Sequence, residues 1–168
     1  MSNEKRLKDR VAIVTGAAQG IGFSIAERLA SEGAITILAD VKIAAAVAAA
    51  ERLVKQGFSA EALPVDIGED ASVAGLAKSV DGKYGCCEIL VNNAAFIHHQ
   101  LIEKMPFWEK EIAAVDILNV GLRSAYVASW HAAKIMVPQG SGMIAFGSSF
   151  GASCYMHGPA YGAQKAGL

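Results

Sequence analysis

RVAIVTGAAQGIGFSIAERLASEG, residues 10–33, holds a strand, a glycine loop and a helix in uninterrupted succession. RVAIVTG is a short apolar run that ends at Gly16, which permits a tight turn out of a strand. From residue 21, Ile21, Ile25 and Leu29 recur at the i, i+4, i+8 spacing of a helix face, and Gly33 can close that helix. Between them lies TGAAQGIG (15–22), a loop whose Gly20 and Gly22 lack β-carbons. Such a loop lets a pyrophosphate approach the backbone while the helix packs close to the sheet. The opening turn of the helix, with Gln19, Gly20 and Ile21 around it, offers unpaired N–H groups to phosphate. The spacing is G-x-x-x-G-x-G rather than the general G-x-G-x-x-G.

The rest of the chain repeats the alternation. AITILAD (34–40), SAEALPVDI (59–67), EILVNNA (88–94) and GMIAFGSS (142–149) read as further strands. Helical stretches separate them at 43–57, 69–85 and 105–137, the last in two pieces. Pro64 points to an edge position for the third strand. The pattern predicts an α/β fold: a Rossmann-type, doubly wound parallel sheet in one domain spanning 1–168, truncated after the fifth strand.

Composition agrees. The 168 residues are 53% hydrophobic and 18% charged, which suits a sheet covered on both faces. A net charge of −1 predicts neither nucleic acid nor an anionic membrane as partner. IAAAVAAA (43–50) is too short to span a bilayer, and the N-terminal residues lack a secretory pattern, so a cytoplasmic protein is expected. Cys86, Cys87 and Cys154 show no metal spacing and read as reduced thiols. His98 and His99 read as surface-loop residues, Trp108 and Trp130 as packing residues, and no metal is expected.

Asp40 ends the second strand eighteen residues after Gly22, where a carboxylate can accept hydrogen bonds from an adenosine ribose and would repel a 2′-phosphate. NAD is therefore expected over NADP. Asp66 and Ile67, closing the third strand, and Asn93, closing the fourth, complete the expected cofactor contacts; Asp66 could equally cap the next helix. Tyr161 and Lys165, four residues apart, share one face of a final helix.

TGAAQGIG, VDI (65–67), NNAA (92–95) and YGAQK (161–165), in this order and at matching strand ends, resemble the short-chain dehydrogenase/reductase family along essentially the whole chain. The resemblance implies an oxidoreductase that moves hydride between NAD(H) and a secondary alcohol or carbonyl, a small-molecule partner. It implies Tyr161 as general acid/base, Lys165 as the cation that lowers the phenol's pKa and holds the nicotinamide ribose, and a serine that polarises the substrate oxygen. A free phenol titrates near pH 10, so a base useful near neutrality needs a shift of about 3 units. An ammonium about 6 Å away supplies about 2.8 kcal/mol at an effective dielectric of about 20, roughly two of those units. Counting back thirteen residues from Tyr161 selects Ser148; counting seven forward from Gly142 through the strand selects Ser149. Ser149 is preferred, because a one-residue deletion is absorbed more easily by a loop than by a buried strand.

The family carries an Asn in the helix after the fourth strand, and VGLRSAY (120–126) puts Gly121 there. Asn119 lies about 200° around the helix from that position and reads as a surface amide. The alternative reading is a truncated nucleotide-binding module without turnover, favoured by Gly121 and by the missing sixth strand. The resemblance also implies a homo-oligomer for the full-length form, with the Tyr161–Lys165 helix in its principal contact.

Overall fold

A computed structural model describes residues 5–168. Five parallel strands, β1 (Val11–Thr15), β2 (Ile35–Asp40), β3 (Ala60–Pro64), β4 (Ile89–Asn92) and β5 (Met143–Phe146), form one sheet in the order β3-β2-β1-β4-β5. Parallel neighbours need crossovers, and four helices supply them: α1 (Gly20–Ser31), α2 (Ile43–Lys55), α3 (Asp70–Tyr84) and α4 (Ser124–Met136); α5 (Pro159–Gly167) follows β5. This is the doubly wound Rossmann-type arrangement. Pro64 ends β3, on the edge of the sheet, where a missing N–H costs no ladder bond.

The side-chain period of two divides β1 between the two faces. Val11 and Ile13 pack with Val73, Leu76 and Val80 of α3 and with Ala128, Ala132 and Met136 of α4. Ala12 and Val14 pack with Phe23, Ala26 and Ala30 of α1 and with Ala49, Ala50 and Leu53 of α2. The strand is covered on both sides, which is why it reads as a continuous apolar run.

Two packing expectations need correction. The buried face of α1 is Gly22, Phe23, Ala26 and Ala30; of the Ile21–Ile25–Leu29 stripe, Ile25 and Leu29 are half-buried against the same core while Ile21 is 76% exposed. Small residues bring the helix axis close to the sheet, and Ile21, in the first turn, lies beyond the sheet's cover. Trp108 and Trp130 are 73% and 50% exposed rather than packed inside. Trp108 stands edge-on to Phe107, and Trp130 carries the Lys134 ammonium 3.4 Å from its ring centroid.

The stretch 105–137 is less regular than its composition suggests. Short tight turns occupy Phe107–Glu109 and Ile112–Ile117, and a widened turn, Leu118–Arg123, precedes α4. Val120 (φ −99°, ψ 69°) and Gly121 (φ 164°, ψ −45°) break the helix there. Ile112–Met136 is long and apolar enough by composition to cross a membrane. The break interrupts it, and Ala125, Ala128, Ala132 and Met136 are buried within the fold.

Candidate active site

The residues expected from the sequence to carry the chemistry lie at or follow the C-terminal ends of the strands, Asp66 and Ile67 after β3 and the others at or after β1, β2, β4 and β5. This is the crevice side of an open parallel sheet. Gly16 (φ 66°) and Gly20 (φ 58°) adopt left-handed backbone conformations that side chains resist. A β-carbon at Gly22 would collide with the Gly16 carbonyl oxygen and stand 2.5 Å from Asn93 Nδ2, so only glycine allows α1 to begin this close to β1. A β-carbon at Gly20 would meet nothing, leaving the outer side of the loop open. Phe23 N, donating to Gln19 O, makes the first bond of the helix, and Gln19 offers no side-chain cap. The N–H groups of the first turn therefore face that open side unpaired.

Asp40 ties the second strand to the same loop. It is 8% exposed; Oδ2 accepts from Ala18 N and Oδ1 from Lys42 N, each at 2.9 Å. Each carboxylate oxygen keeps a lone pair for a further donor. Asn93 works inward rather than outward, donating from Nδ2 to Thr15 O (2.9 Å) and Gly16 O (3.2 Å). Its backbone N–H and that of Ala94 both donate to Thr15 Oγ1 at 3.1 Å. Asn93 thus fastens the glycine loop to β4. Asp66 lies two residues beyond the end of β3, where Oδ1 accepts from Gly68 N (2.9 Å), so it closes a turn. Ile67, half-buried, packs against the core below it.

The second half of the site is built where β5 meets α5. Ser149 Oγ and Tyr161 Oη are 2.9 Å apart. Gly151 N–H donates to Ser149 Oγ at 3.2 Å, which leaves the serine hydrogen free to point at the phenol or at a ligand. Ser148 points elsewhere: its hydroxyl donates to Lys165 O at 2.7 Å. Lys165 Nζ donates to Gly147 O at 2.7 Å and stands 5.6 Å from the Tyr161 ring centroid. Partial burial pushes the Lys165 amine below the usual lysine range. Tyr161 and Lys165 do share one face of α5, as their spacing predicts.

Three contributors escaped sequence reading. Gly151 lets the Tyr161 ring lie against the backbone, since a β-carbon there would be 2.5 Å from Tyr161 Cε1 and 2.8 Å from Cδ1. His157, in a left-handed conformation (φ 60°), sets its ring edge-on to Tyr161, centroids 5.0 Å apart. Lys110 Nζ donates to the carbonyls of Leu101 (2.8 Å) and His157 (3.3 Å), joining the loop after β4 to the turn before α5.

His98 also departs from its expected place on the surface, its side chain being only 10% exposed. Glu111, thirteen residues on, comes within 3.5 Å of His98 Nε2 and 4.0 Å of His99 Nε2, a grouping the local spacing does not reveal. His98 Nδ1 accepts from Gln100 N (3.3 Å), which leaves Nε2 turned toward Glu111.

Comparison with known proteins agrees with this geometry. The short chain dehydrogenase family profile matches residues 10–168. Tropinone reductase-like 1 of Erythroxylum coca is 36% identical over 166 residues, 98% of this chain and 60% of that protein. The uncharacterized oxidoreductase YxjF of Bacillus subtilis is 39% identical over 138 residues, 82% of this chain and 52% of that protein. Among solved structures, gox2181 superposes with a TM-score of 0.89 at 30% identity, covering 98% of this chain and 64% of that one. A metagenomic short-chain oxidoreductase solved in complex with NADP gives 0.86 at 32% identity, covering 96% and 72%. The chain spans about half to three-fifths of the length of these curated relatives.

Proposed function

The chain belongs to the short-chain dehydrogenase family, and from that premise we propose that it carries the cofactor-binding and proton-transferring machinery of an NAD(H)-linked oxidoreductase acting on a secondary alcohol or its carbonyl. The observation that carries the reading is the 2.9 Å contact between Ser149 Oγ and Tyr161 Oη, with Lys165 Nζ 5.6 Å from the same ring. Two hydroxyls that converge on one point can both bond a single substrate oxygen.

The residues present fit a dinucleotide. The open side of Gly20 and the unpaired first-turn N–H groups of α1 suit the pyrophosphate. The free lone pairs of Asp40 suit the adenosine ribose hydroxyls, and its negative charge disfavours a 2′-phosphate. Lys165, with two N–H donors beyond the one held by Gly147 O, suits the nicotinamide ribose. When bound, the nicotinamide supplies the acceptor or donor of hydride.

In the oxidative direction Ser149 donates its hydroxyl hydrogen to the substrate oxygen and fixes its position. Tyr161 Oη, as phenolate, takes the proton of the alcohol while the carbon–hydrogen bond breaks and the carbonyl forms. Lys165 lowers the cost of negative charge on the phenol oxygen. In the reductive direction Tyr161 returns the proton to the oxygen. Until that proton arrives, Ser149 stabilises the negative charge that develops on the oxygen.

The test is titration with NAD and with NADP, followed by a panel of secondary alcohols and ketones, watching nicotinamide absorbance. Cofactor-dependent turnover that Tyr161→Phe abolishes supports the reading. Binding of NAD without reduction by any alcohol in the panel would favour a nucleotide-binding module.

A further inference from the structure

Gln164 sits between Tyr161 and Lys165 on α5 and is 1% exposed. Its side chain runs into the helix break that precedes α4. A β-carbon on Gly121 would lie 3.2 Å from both Cγ and Nε2 of Gln164, so the hole left by the glycine is the space the glutamine fills. The two positions are fitted to each other. Among the described residues, Gln164 Oε1 is buried and accepts from no donor, and the Ser124 hydroxyl, one turn beyond Gly121, is buried without a partner as well. A Met or Leu would fill the same hole without burying an unpaired amide oxygen, which is costly in a protein interior. The carboxamide is therefore present for its polar end and not for its bulk alone.

We propose that Gln164 is a positioning residue for the Tyr161–Lys165 pair. Its carboxamide, inserted into the break at Val120–Gly121, fixes the turn of α5 that carries both groups. The role in turnover rests on the dehydrogenase reading; the geometric role does not. Three attachments define where the Lys165 turn sits: Lys165 Nζ to Gly147 O, Ser148 Oγ to Lys165 O, and Gln164 into the break. The first two hold α5 to the end of β5; the third holds it to the break before α4, where Gly167 at the end of α5 also packs closely on Leu122.

The experiment compares the parent chain with Gln164→Met, Gln164→Ala and the exchange variant Gly121→Asn/Gln164→Ala, which returns a carboxamide to the break from the opposite side. Amine acylation at Lys165, followed by mass spectrometry across pH, reports its ionisation and needs no turnover. Gln164→Met should melt at the same or higher temperature than the parent, because the unpaired oxygen is gone. It should nevertheless change Lys165 acylation near neutrality by about threefold or more, as the turn of α5 that holds the amine against Gly147 O and under partial cover is no longer fixed. Where the parent turns over an alcohol, Gln164→Met should lower kcat with KM little changed. The exchange variant should return Lys165 reactivity to within about twofold of the parent, while Gln164→Ala alone departs from it. Unaltered Lys165 reactivity in Gln164→Met shows a space-filling residue and overturns the proposal. So does an exchange variant no closer to the parent than Gln164→Ala, which decides the question if Gln164→Met fails to fold. A parent chain without turnover removes the dehydrogenase reading but leaves the acylation result decisive.

Discussion

Replacing Gly151 by Ala should disable the site while leaving the fold almost intact. The new β-carbon would begin 2.5 Å from Tyr161 Cε1 and 2.8 Å from Cδ1, against an ordinary carbon–carbon approach of about 3.5–4 Å. Ring or loop must move by about 1 Å. If the ring moves, the 2.9 Å contact between Ser149 and Tyr161 stretches toward about 3.9 Å and ceases to be a hydrogen bond. A misplacement of this size costs about a hundredfold in rate, which is about 2.7 kcal/mol of transition-state stabilisation. The stability cost is smaller. Overpacking costs about 1–3 kcal/mol, and the stiffer unfolded chain of an alanine returns about 0.4–1 kcal/mol. The net loss, between about 0 and 2.6 kcal/mol, lowers Tm by about 10 °C at most, at about 2–4 °C per kcal/mol for a domain of this size. Gly75→Ala is the control: Gly75 lies inside α3 with nothing near its missing β-carbon, so alanine should raise Tm and leave turnover unchanged. Steady-state kinetics and thermal melts of both variants decide the matter. A folded Gly151→Ala protein keeping more than half of parental kcat/KM would refute the claim that this glycine seats Tyr161.

Asp40→Ala should narrow the preference for NAD(H) over NADP(H) by about tenfold, since a bond to a charged group is worth about 1.5–3 kcal/mol; equal affinities of the unmutated protein by calorimetry at fixed salt would sink this. Ser149→Ala should lower kcat/KM by at least about tenfold, and by more than Ser148→Ala, because only Ser149 faces the phenol. A more damaged Ser148 variant would contradict that geometry. At low pH the Arg6–Glu32 pair should fail. The Arg6 guanidinium holds the Glu32 carboxyl down at about 2 against an ordinary 4.5. A depressed carboxylate stabilises fully above its unfolded pKa, so this contribution is lost as pH falls from 4.5 toward 2. Glu32→Gln should flatten that part of the acid-unfolding profile, and an unaltered profile would show that this exposed pair contributes nothing.

The fold was legible in the sequence because its signals are local. A strand buried on both faces is a continuous apolar run, the crossover helices carry their own period, and the left-handed turns at Gly16 and Gly20 demand glycine whatever surrounds them. Tyr161 and Lys165 declared themselves for the same reason, since four residues on a helix fix a common face. The preference for Ser149 over Ser148 rested on strand register, and β5 keeps an unbroken register against β4 although it is a partly exposed edge strand. What tertiary structure alone decided is contact between segments far apart in the chain. Glu111 approaches His98 and His99 only after the loop following β4 has folded back, and Lys110 reaches Leu101 and His157 by the same path. Trp108 and the break at Val120–Gly121 lie where no single period runs, so composition suggested packing for Trp108, which is exposed, and two helical pieces without fixing where the chain bends. The fits of Gly151 to Tyr161 and of Gly121 to Gln164 are matters of a missing methyl group opposite a side chain from another segment. A glycine in a sequence announces only that a side chain is absent, and what occupies the vacated volume is settled when the elements pack.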